Sequence, residues 1–588
     1  NNMTLAADQM LDSPTNNFAT FNPLAYPTTH TTLSEGNLSV KDNGGAWSQA
    51  YVTQARNSGK VYVEFMMGNA GGMFFGITTE TTANNPAISF NNYYVGSQTN
   101  DFGFRINDYG SGQGNNEGYS TGGSFTSLGT AQPVAGGIYQ LAFDLDNAKV
   151  YFGKNNTWFN SANPSSGSNG ISISATENYF VTVSIQNQNT NAMVLNAGQD
   201  SSFAGNKTAQ GNGGAGEDFY YTPPSGFKSL RTKNLPAVAV TPSEHFNAIT
   251  WTGASDANLS LTGVGFQPDL VWIKKRTNAE NGTVWDAVRG AGKSLCNDNT
   301  SVEVANYSYG HLESFDADGF TTHHGGDQNT FGYPGNGWIA WNWKANGSGS
   351  SNTAGSINTT ATSVNTDAGF SMSTYTGTGS AATIGHGLSK APEMIIVKNR
   401  SNERNWRTYH KYSGASDPET DFVNLDTTEA LADYVTWNDT APTADVFSIT
   451  SSSDRAVNYS GDTYVSYCFH SVDGYSKIGK YTGNDNADGT FVYCGFRPAW
   501  VLIKNTNNSG EGFVIMNNKS DPSNVIGTYL TVYDNSLEQG TAGTTSSRSI
   551  DFVSNGFKLR GNSAEINDSE TIIFLAFAET PFKYANAR

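Results

Sequence analysis

Charge is scarce in this chain. Of 588 residues only 14% are Asp, Glu, Lys or Arg, against about a quarter in ordinary soluble domains. The little there is runs acidic, 33 basic against 51 acidic residues, for a net charge of −18. No concentrated positive surface is therefore available to follow a phosphate backbone or an anionic bilayer, and nucleic acid is excluded as a partner. No apolar run approaches the length of a membrane span, so membrane insertion by a helix is excluded too. Cysteine is scarcer still. Cys296, Cys468 and Cys494 are odd in number and lack CxxC spacing, which excludes a disulfide framework and a cysteine zinc site. Helical periodicity is almost absent; Asp426-Thr427-Thr428-Glu429 ahead of Ala430-Leu431-Ala432 alone predicts a short capped helix. The opening Asn1-Asn2-Met3 has neither a leader pattern nor a methionine in first place, and a trimmed terminus is expected.

What is present is material for strands. Hydrophobic residues make up 37%, aromatics 12%, and there are 64 glycines, so cores can be filled and turns are many. The length implies about three to five domains. In the second half one pattern returns three times. An aromatic–Thr–Gly corner stands at Trp251-Thr252-Gly253, Tyr375-Thr376-Gly377 and Tyr481-Thr482-Gly483. A proline follows at one fixed distance (Pro268, Pro392, Pro498), then a lysine at another (Lys274, Lys398, Lys504). Such spacing means one small domain copied in tandem, which predicts a rod or stacked array.

Within each copy the proline opens an apolar run: Leu270-Val271-Trp272-Ile273, Met394-Ile395-Ile396-Val397 or Trp500-Val501-Leu502-Ile503. Apolar residues on both parities predict a central strand covered on both faces. Each copy closes on another strand, whose large residues on one parity (Ile339, Trp341, Trp343; Val465, Tyr467, Phe469; Ile573, Leu575, Phe577) are expected to face the copy's own core.

The first 232 residues read as a separate all-β unit. Lys60–Phe65 alternates like a half-buried strand, Met73–Ile77 is a short buried one, and Val181, Val183 and Ile185 mark a third. Tyr139–Asp146 and Lys149–Gly153 form a hairpin around a polar turn. The stretches Gly59–Phe65, Ala142–Asn155 with Thr157-Trp158, and Leu195-Asn196-Ala197-Gly198-Gln199 with Phe203 together resemble the SPRY domain, although Ala197 replaces that family's usual phenylalanine. The resemblance implies a bent sandwich of two antiparallel sheets whose loops bind partners. The lead-in, Leu11–Phe18 with Phe21-Asn22-Pro23-Leu24, is similar to that of SPRY domains in tailed-phage virion proteins. The three repeats resemble an uncharacterised β domain common in structural proteins of marine tailed phages.

The expected organisation is all-β: a SPRY-like sandwich over 1–232, a connector over 233–245, and β-sandwich repeats over 246–345, 367–473 and 474–588. A flexible Gly/Ser-rich linker is expected over 346–366.

Chemistry is hard to find. His323-His324-Gly325-Gly326-Asp327, with His311 nearby, is the best metal candidate. Adjacent histidines on a strand point to opposite faces, however, so no metal and no cofactor is expected. The pairs Asp144/Asp146 and Asp316/Asp318 lack calcium-loop spacing. Neither a Gly-x-Ser-x-Gly elbow nor His-Glu-x-x-His occurs, and no catalytic residue is assigned. The three lysines read as solvated strand ends that discourage edge pairing, and Cys468 as a small strand residue. Five aromatics in polar stretches, Tyr93, Tyr94, Tyr109, Trp285 and Trp406, are candidates for stacking on sugar rings. The expectation is therefore a non-enzymatic virion protein, a fibre, spike or decoration, that meets a host-surface glycan or protein by multivalent binding. Other virion or tail proteins are expected partners, and the phage resemblance suggests a homotrimer. A purely architectural virion role, a secreted bacterial adhesin and a capsule-degrading enzyme are the alternatives.

Overall fold

The structure, a computed structural model, describes residues 16–25, 31–42, 47–68, 72–86, 93–107, 116–130, 135–186, 192–254, 257–308, 310–325, 331–414 and 417–584. It is all-β, built from antiparallel sheets, and divides into two compact units, Asn1–Ala237 with Phe582–Arg588, and Val238–Pro581. The chain's last residues thus belong with the first unit, where the Lys583 ammonium donates to the carbonyls of Lys233 and Leu235.

The first unit is a sandwich. One sheet runs, in spatial order, Thr31–Ser34, Ser39–Asp42, Ala192–Asn196, Lys60–Met67, Ile138–Asp144, Lys149–Lys154 and Thr157–Trp158, with Ile171–Ser172 also paired to Lys149–Lys154. The other runs Ser48–Arg56, Tyr179–Gln186, Gly72–Thr79, Phe102–Asn107, Asn116–Thr121 and Ser124–Thr130. Aromatic rings join them. Phe75 meets Phe65, Tyr139 and Phe152 of the opposite sheet at 5.2, 5.7 and 5.6 Å.

The expected strands and hairpin are present, and Asp144 and Asp146 serve the turn. Asp144 accepts from the Asn147 backbone and side chain and pairs with Lys60 at 2.9 Å, while Asp146 accepts from the Gly59 N–H. One expectation fails: Lys60–Met67 is buried on both faces beyond its first residue. The coil of residues 197–231 covers its outer side, placing Phe219 against Tyr62 at 5.0 Å. Glu64 is buried beneath that coil and accepts from the N–H groups of Tyr220 and Tyr221, the Tyr62 hydroxyl and the Asn196 amide.

In the second unit each repeat builds the same main sheet. In the first it runs Phe246–Thr252, Gly337–Trp343, Leu270–Lys275, Thr283–Asp286, Lys293–Cys296 and Val304–Ala305. The second repeats this order from Phe370–Thr376 to Ala432–Asp433, with Ala361–Asn365 added at its edge, and the third from Ser476–Thr482 to Gln539–Gly540. A smaller sheet covers one face of each: Leu259–Thr262, Gly319–His323 and His311–Asp316; Ala382–Gly385 and Val446–Ile449; Phe491–Tyr493, Gly556–Leu559 and Ile550–Val553.

The recurring corner has a mechanical reason. The polar tip of its aromatic donates to a backbone carbonyl in the loop before the closing strand: Trp251 Nε1 to Phe331, the Tyr375 hydroxyl to Val457, the Tyr481 hydroxyl to Ile566. The glycine lies so close to that loop that a Cβ would stand 2.2 Å from the Tyr333 oxygen, 2.3 Å from the Tyr459 oxygen or 2.3 Å from the Asp568 oxygen. Only glycine permits that approach.

The repeats do not form a rod. The post-proline strands are buried on both faces, as expected. Their alternate residues, however, serve two different cores. Val271 and Ile273, Ile395 and Val397, and Val501 and Ile503 face the small sheet of their own repeat. Trp272, Ile396 and Leu502 belong to one core shared by all three repeats. The large residues of the closing strands, expected to fill separate cores, also lie in the shared one: Trp341, Trp343, Tyr467, Phe469, Leu575 and Phe577. There Trp500 meets Trp343 at 5.8 Å, and Phe577 meets Phe246 at 4.8 Å and Phe469 at 6.2 Å. The three main sheets thus close around a common apolar centre, and the small sheets lie on their far sides. Closing these rows on one another removes them from water, which is the main favourable term in such packing.

The linker expected over 346–366 is tied down. Asp269 accepts from the N–H groups of Ala345 and Gly347, Ser350 pairs with Thr362, and Ile357 with Ile384. The predicted helix at 426–432 is also not formed. Its backbone is engaged by the third repeat: Glu429 O accepts from Lys504, Thr428 O from Gly510 N–H, and Leu431 N–H donates to Thr506 O.

Candidate functional site

Of the five aromatics, two are removed from any sugar site by burial. Trp285 and Trp406 are each 1% exposed. Trp285 packs in the first repeat's own core, and Trp406 in the shared core, its indole donating to Cys296 O at 2.9 Å. Polar neighbours in sequence misled the expectation, because Trp285 lies within the strand Thr283–Asp286 and Trp406 directly before Arg407–His410, and both rings turn inward. Tyr94 is partly covered, stacked on Phe74 at 4.5 Å beside Trp47. Tyr93 is exposed at 40%. Tyr109 lies outside the described residues, as do Leu11–Thr15 of the lead-in and Gly326-Asp327 of the histidine stretch.

The three lysines are not solvated. Lys274, Lys398 and Lys504 are 1%, 0% and 0% exposed. Each reaches out of its own repeat to a carbonyl of a neighbour: Lys274 to Asp534 O, Lys398 to Thr300 O at 2.9 Å, and Lys504 to Glu429 O at 2.8 Å. First grips third, third grips second, second grips first, so the contacts close a ring. Burial lowers the ammonium pKa at all three, to about 8 at Lys398 and Lys504. Two residues further on, the ring is repeated in backbone. Arg276, Arg400 and Thr506 accept through their carbonyls from the N–H of Glu538, Glu303 and Leu431. At two of the three junctions an ion pair is added, Arg276–Glu538 and Arg400–Glu303, both at 2.7 Å.

These junctions carry the exposed apolar side chains. Among the described residues of the second unit the exposed large hydrophobics are Val304, Tyr307, Tyr434, Val435 and Leu537. Every one lies within two residues of the last strand of a main sheet, Val304–Ala305, Ala432–Asp433 or Gln539–Gly540. Large apolar groups grouped at repeated surface positions mark interaction sites more often than scattered ones do. The sequence held no signal for them, since Tyr307 and Tyr434 stand in polar loops like many others.

The small sheet of the first repeat brings His311 opposite His323, with Glu313 beside both. Asp316 and Asp318 are occupied in turns. Asp316 accepts from Ser314 and Thr321, and Asp318 from the N–H groups of Gly263 and Gly265. Cys468 is a buried strand residue in the second repeat's core; burial raises its thiol pKa.

The chain is similar to several solved structures over 30% of its length. The TRIM65 PSpry domain is 13% identical, with 92% of that chain covered and a TM-score of 0.23. The SPRY domain of human HERC1 is 14% identical, with 96% covered and a TM-score of 0.22. Stonustoxin is 16% identical, with 26% covered and a TM-score of 0.22. No curated protein matches the chain. A family model described as a domain of unknown function (DUF7483) matches residues 241–581, which span all three repeats and more than half of the sequence, and the chain belongs to that family.

Proposed function

We propose that this protein is a non-enzymatic attachment component of a tailed-phage virion that binds a host-surface glycan at several equivalent stations. The observation that carries the reading is the placement of the exposed apolar groups. Three copies of one module close on a common core, and the side chains left outside fall within two residues of the last main-sheet strand of each copy: Val304 and Tyr307, Tyr434 and Val435, Leu537. One weak site repeated on a rigid support gains avidity of about 10²–10⁴ over a single site without any new contact. Tyrosine faces suit sugar C–H surfaces, and Asn306 and Asn438, close in sequence to Tyr307 and Tyr434, can serve the hydroxyls. The virion and phage parts of the reading rest on the sequence resemblance of the lead-in and of the repeats. A homotrimer of the whole chain would multiply the stations again, and light scattering measures it.

The test is binding of the isolated chain to susceptible cells and to their purified surface polysaccharide. Tyr307→Ala and Tyr434→Ala should each weaken binding, and the double variant should weaken it by more than either. Absence of binding to any susceptible cell overturns the reading, and release of reducing ends from the polysaccharide overturns its non-enzymatic part. A second reading is favoured by the aliphatic members of the stations. Val304, Val435 and Leu537 suit a protein partner, which would make the chain an architectural component. Labelling it on intact particles separates the two, since an attachment protein is exposed and a purely architectural one is covered.

A further inference from the structure

The small sheet of the first repeat places three metal-ligating side chains on its outer face. His311 begins the strand His311–Asp316 and stands directly across from His323, the last residue of Gly319–His323. Leu312 points the other way, into the repeat's own core, and Glu313 is the extra residue where the register shifts between Leu312 and Ser314, a β-bulge of the kind that re-aims a side chain. One oxygen of the Glu313 carboxylate reaches both imidazoles, with Oε2 at 3.6 Å from His311 Nε2 and 3.2 Å from His323 Nδ1. The rings are stacked, centroids 4.6 Å apart. One ligand atom from each of the three residues lies within 4.8 Å of the others.

The tautomer of His311 suits the same use. Its Nδ1 stands 3.2 Å from the Tyr307 carbonyl. A carbonyl oxygen can only accept, so Nδ1 carries a proton, which leaves Nε2, on the Glu313 side, as the ring's ligand atom. A backbone carbonyl holding the remote ring nitrogen is the usual outer support of a metal-bound histidine. The fold itself does not require this set. At the position of His323 the second repeat has Thr450 and the third Arg560, counted from the shared phenylalanines Phe320, Phe447 and Phe557. Glu313 and His323 are about half exposed and His311 is mostly covered, which leaves an approach from solvent on one side.

We propose that His311, Glu313 and His323 bind one divalent transition-metal ion of the zinc class. Two imidazoles and one carboxylate match the ligand preference of Zn²⁺, with the fourth position left for water. By the general affinity order Cu²⁺ binds the same set more tightly. The site borders one binding station through the Tyr307 carbonyl, but it does not rest on the virion assignment.

The test uses the full chain, stripped with a chelator and titrated with Zn²⁺ by calorimetry. One saturable site per chain is expected. His323→Ala and Glu313→Gln are surface changes that leave the cores intact, and each should weaken Zn²⁺ binding by about tenfold or more. Loading with Co²⁺ should give the intense visible absorption of a tetrahedral N/O site, lost in both variants. The proposal is overturned if the stripped protein shows no saturable one-to-one binding. It is equally overturned if His323→Ala and Glu313→Gln, with unchanged circular dichroism, bind Zn²⁺ as tightly as the parent.

Discussion

Lys398 sits where the sequence has a polar residue at the end of an apolar strand, and such a residue ordinarily reaches water. Here its ammonium is spent on two carbonyls, Thr300 O in the first repeat and Arg404 O in its own. Replacing it with methionine keeps the stem and abandons both acceptors in a buried place. Lys398→Met is expected to lower stability by about 2 kcal/mol, measured by denaturant unfolding of the full chain. Glu64 in the first unit provides a pH readout. Burial raises its pKa to about 7, against the partial relief of four donated hydrogen bonds. Between about pH 4.5 and pH 7 the folded state therefore holds a proton that the unfolded chain has released. Stability contributed by this group falls as pH rises through that window and is regained on acidification. Comparing the parent with Glu64→Gln by thermal unfolding at pH 5 and pH 7 should show a flatter pH dependence in the variant; equal slopes would refute the assignment.

At the scale of elements, the corner and the closing strand explain why one spacing recurs. The glycine admits the loop, the aromatic ties it, and the loop delivers the closing strand between two others. Gly377→Ala places a Cβ against the Tyr459 carbonyl, 2.3 Å away, and should destabilise by about 1–3 kcal/mol through forced backbone shifts, read from the denaturation midpoint. Spacing made this element legible as a repeat, while the reason for glycine was visible only once the loop was in place. The predicted helix at 426–432 shows the opposite case. Its capping residues are real, but a segment of that length gains little from helix formation alone. The third repeat offers partners for three of its backbone groups at once, and tertiary bonding overrides the local signal.

For the molecule as a whole, sharing a core changes what can fold alone. A single repeat would expose its row in the common core, as with Phe370, Ile396, Tyr467 and Phe469 of the second. Residues 367–473 expressed alone are therefore expected to lack the near-UV dichroism of a packed core and to bind a hydrophobic dye; a cooperative melt of that fragment would refute the shared-core account. Trp500 touches Phe246, Trp341 and Trp343 of the first repeat and Phe577 of its own. Trp500→Ala should cost about 3–5 kcal/mol and lower the unfolding of all three repeats together in calorimetry, rather than that of the third alone. The common centre leaves a cavity of only about 30 Å³ between such rings, room for little more than a solvent molecule.

The sequence by itself determined the strands, the copying of one module and the fact that its central strands are covered twice over. Apolar residues on both parities dictate that much, because each face of a strand must leave water. It did not determine what covers each face. A row of Trp, Tyr and Phe is satisfied equally by its own small sheet or by the same row in a neighbouring copy, and periodicity is identical in the two cases. Only the tertiary structure assigned one row to each repeat's own core and the other to a common centre. That choice turned three strand-end lysines into a closed ring of contacts, buried Trp406 in the shared core, and placed the exposed side chains at the junctions.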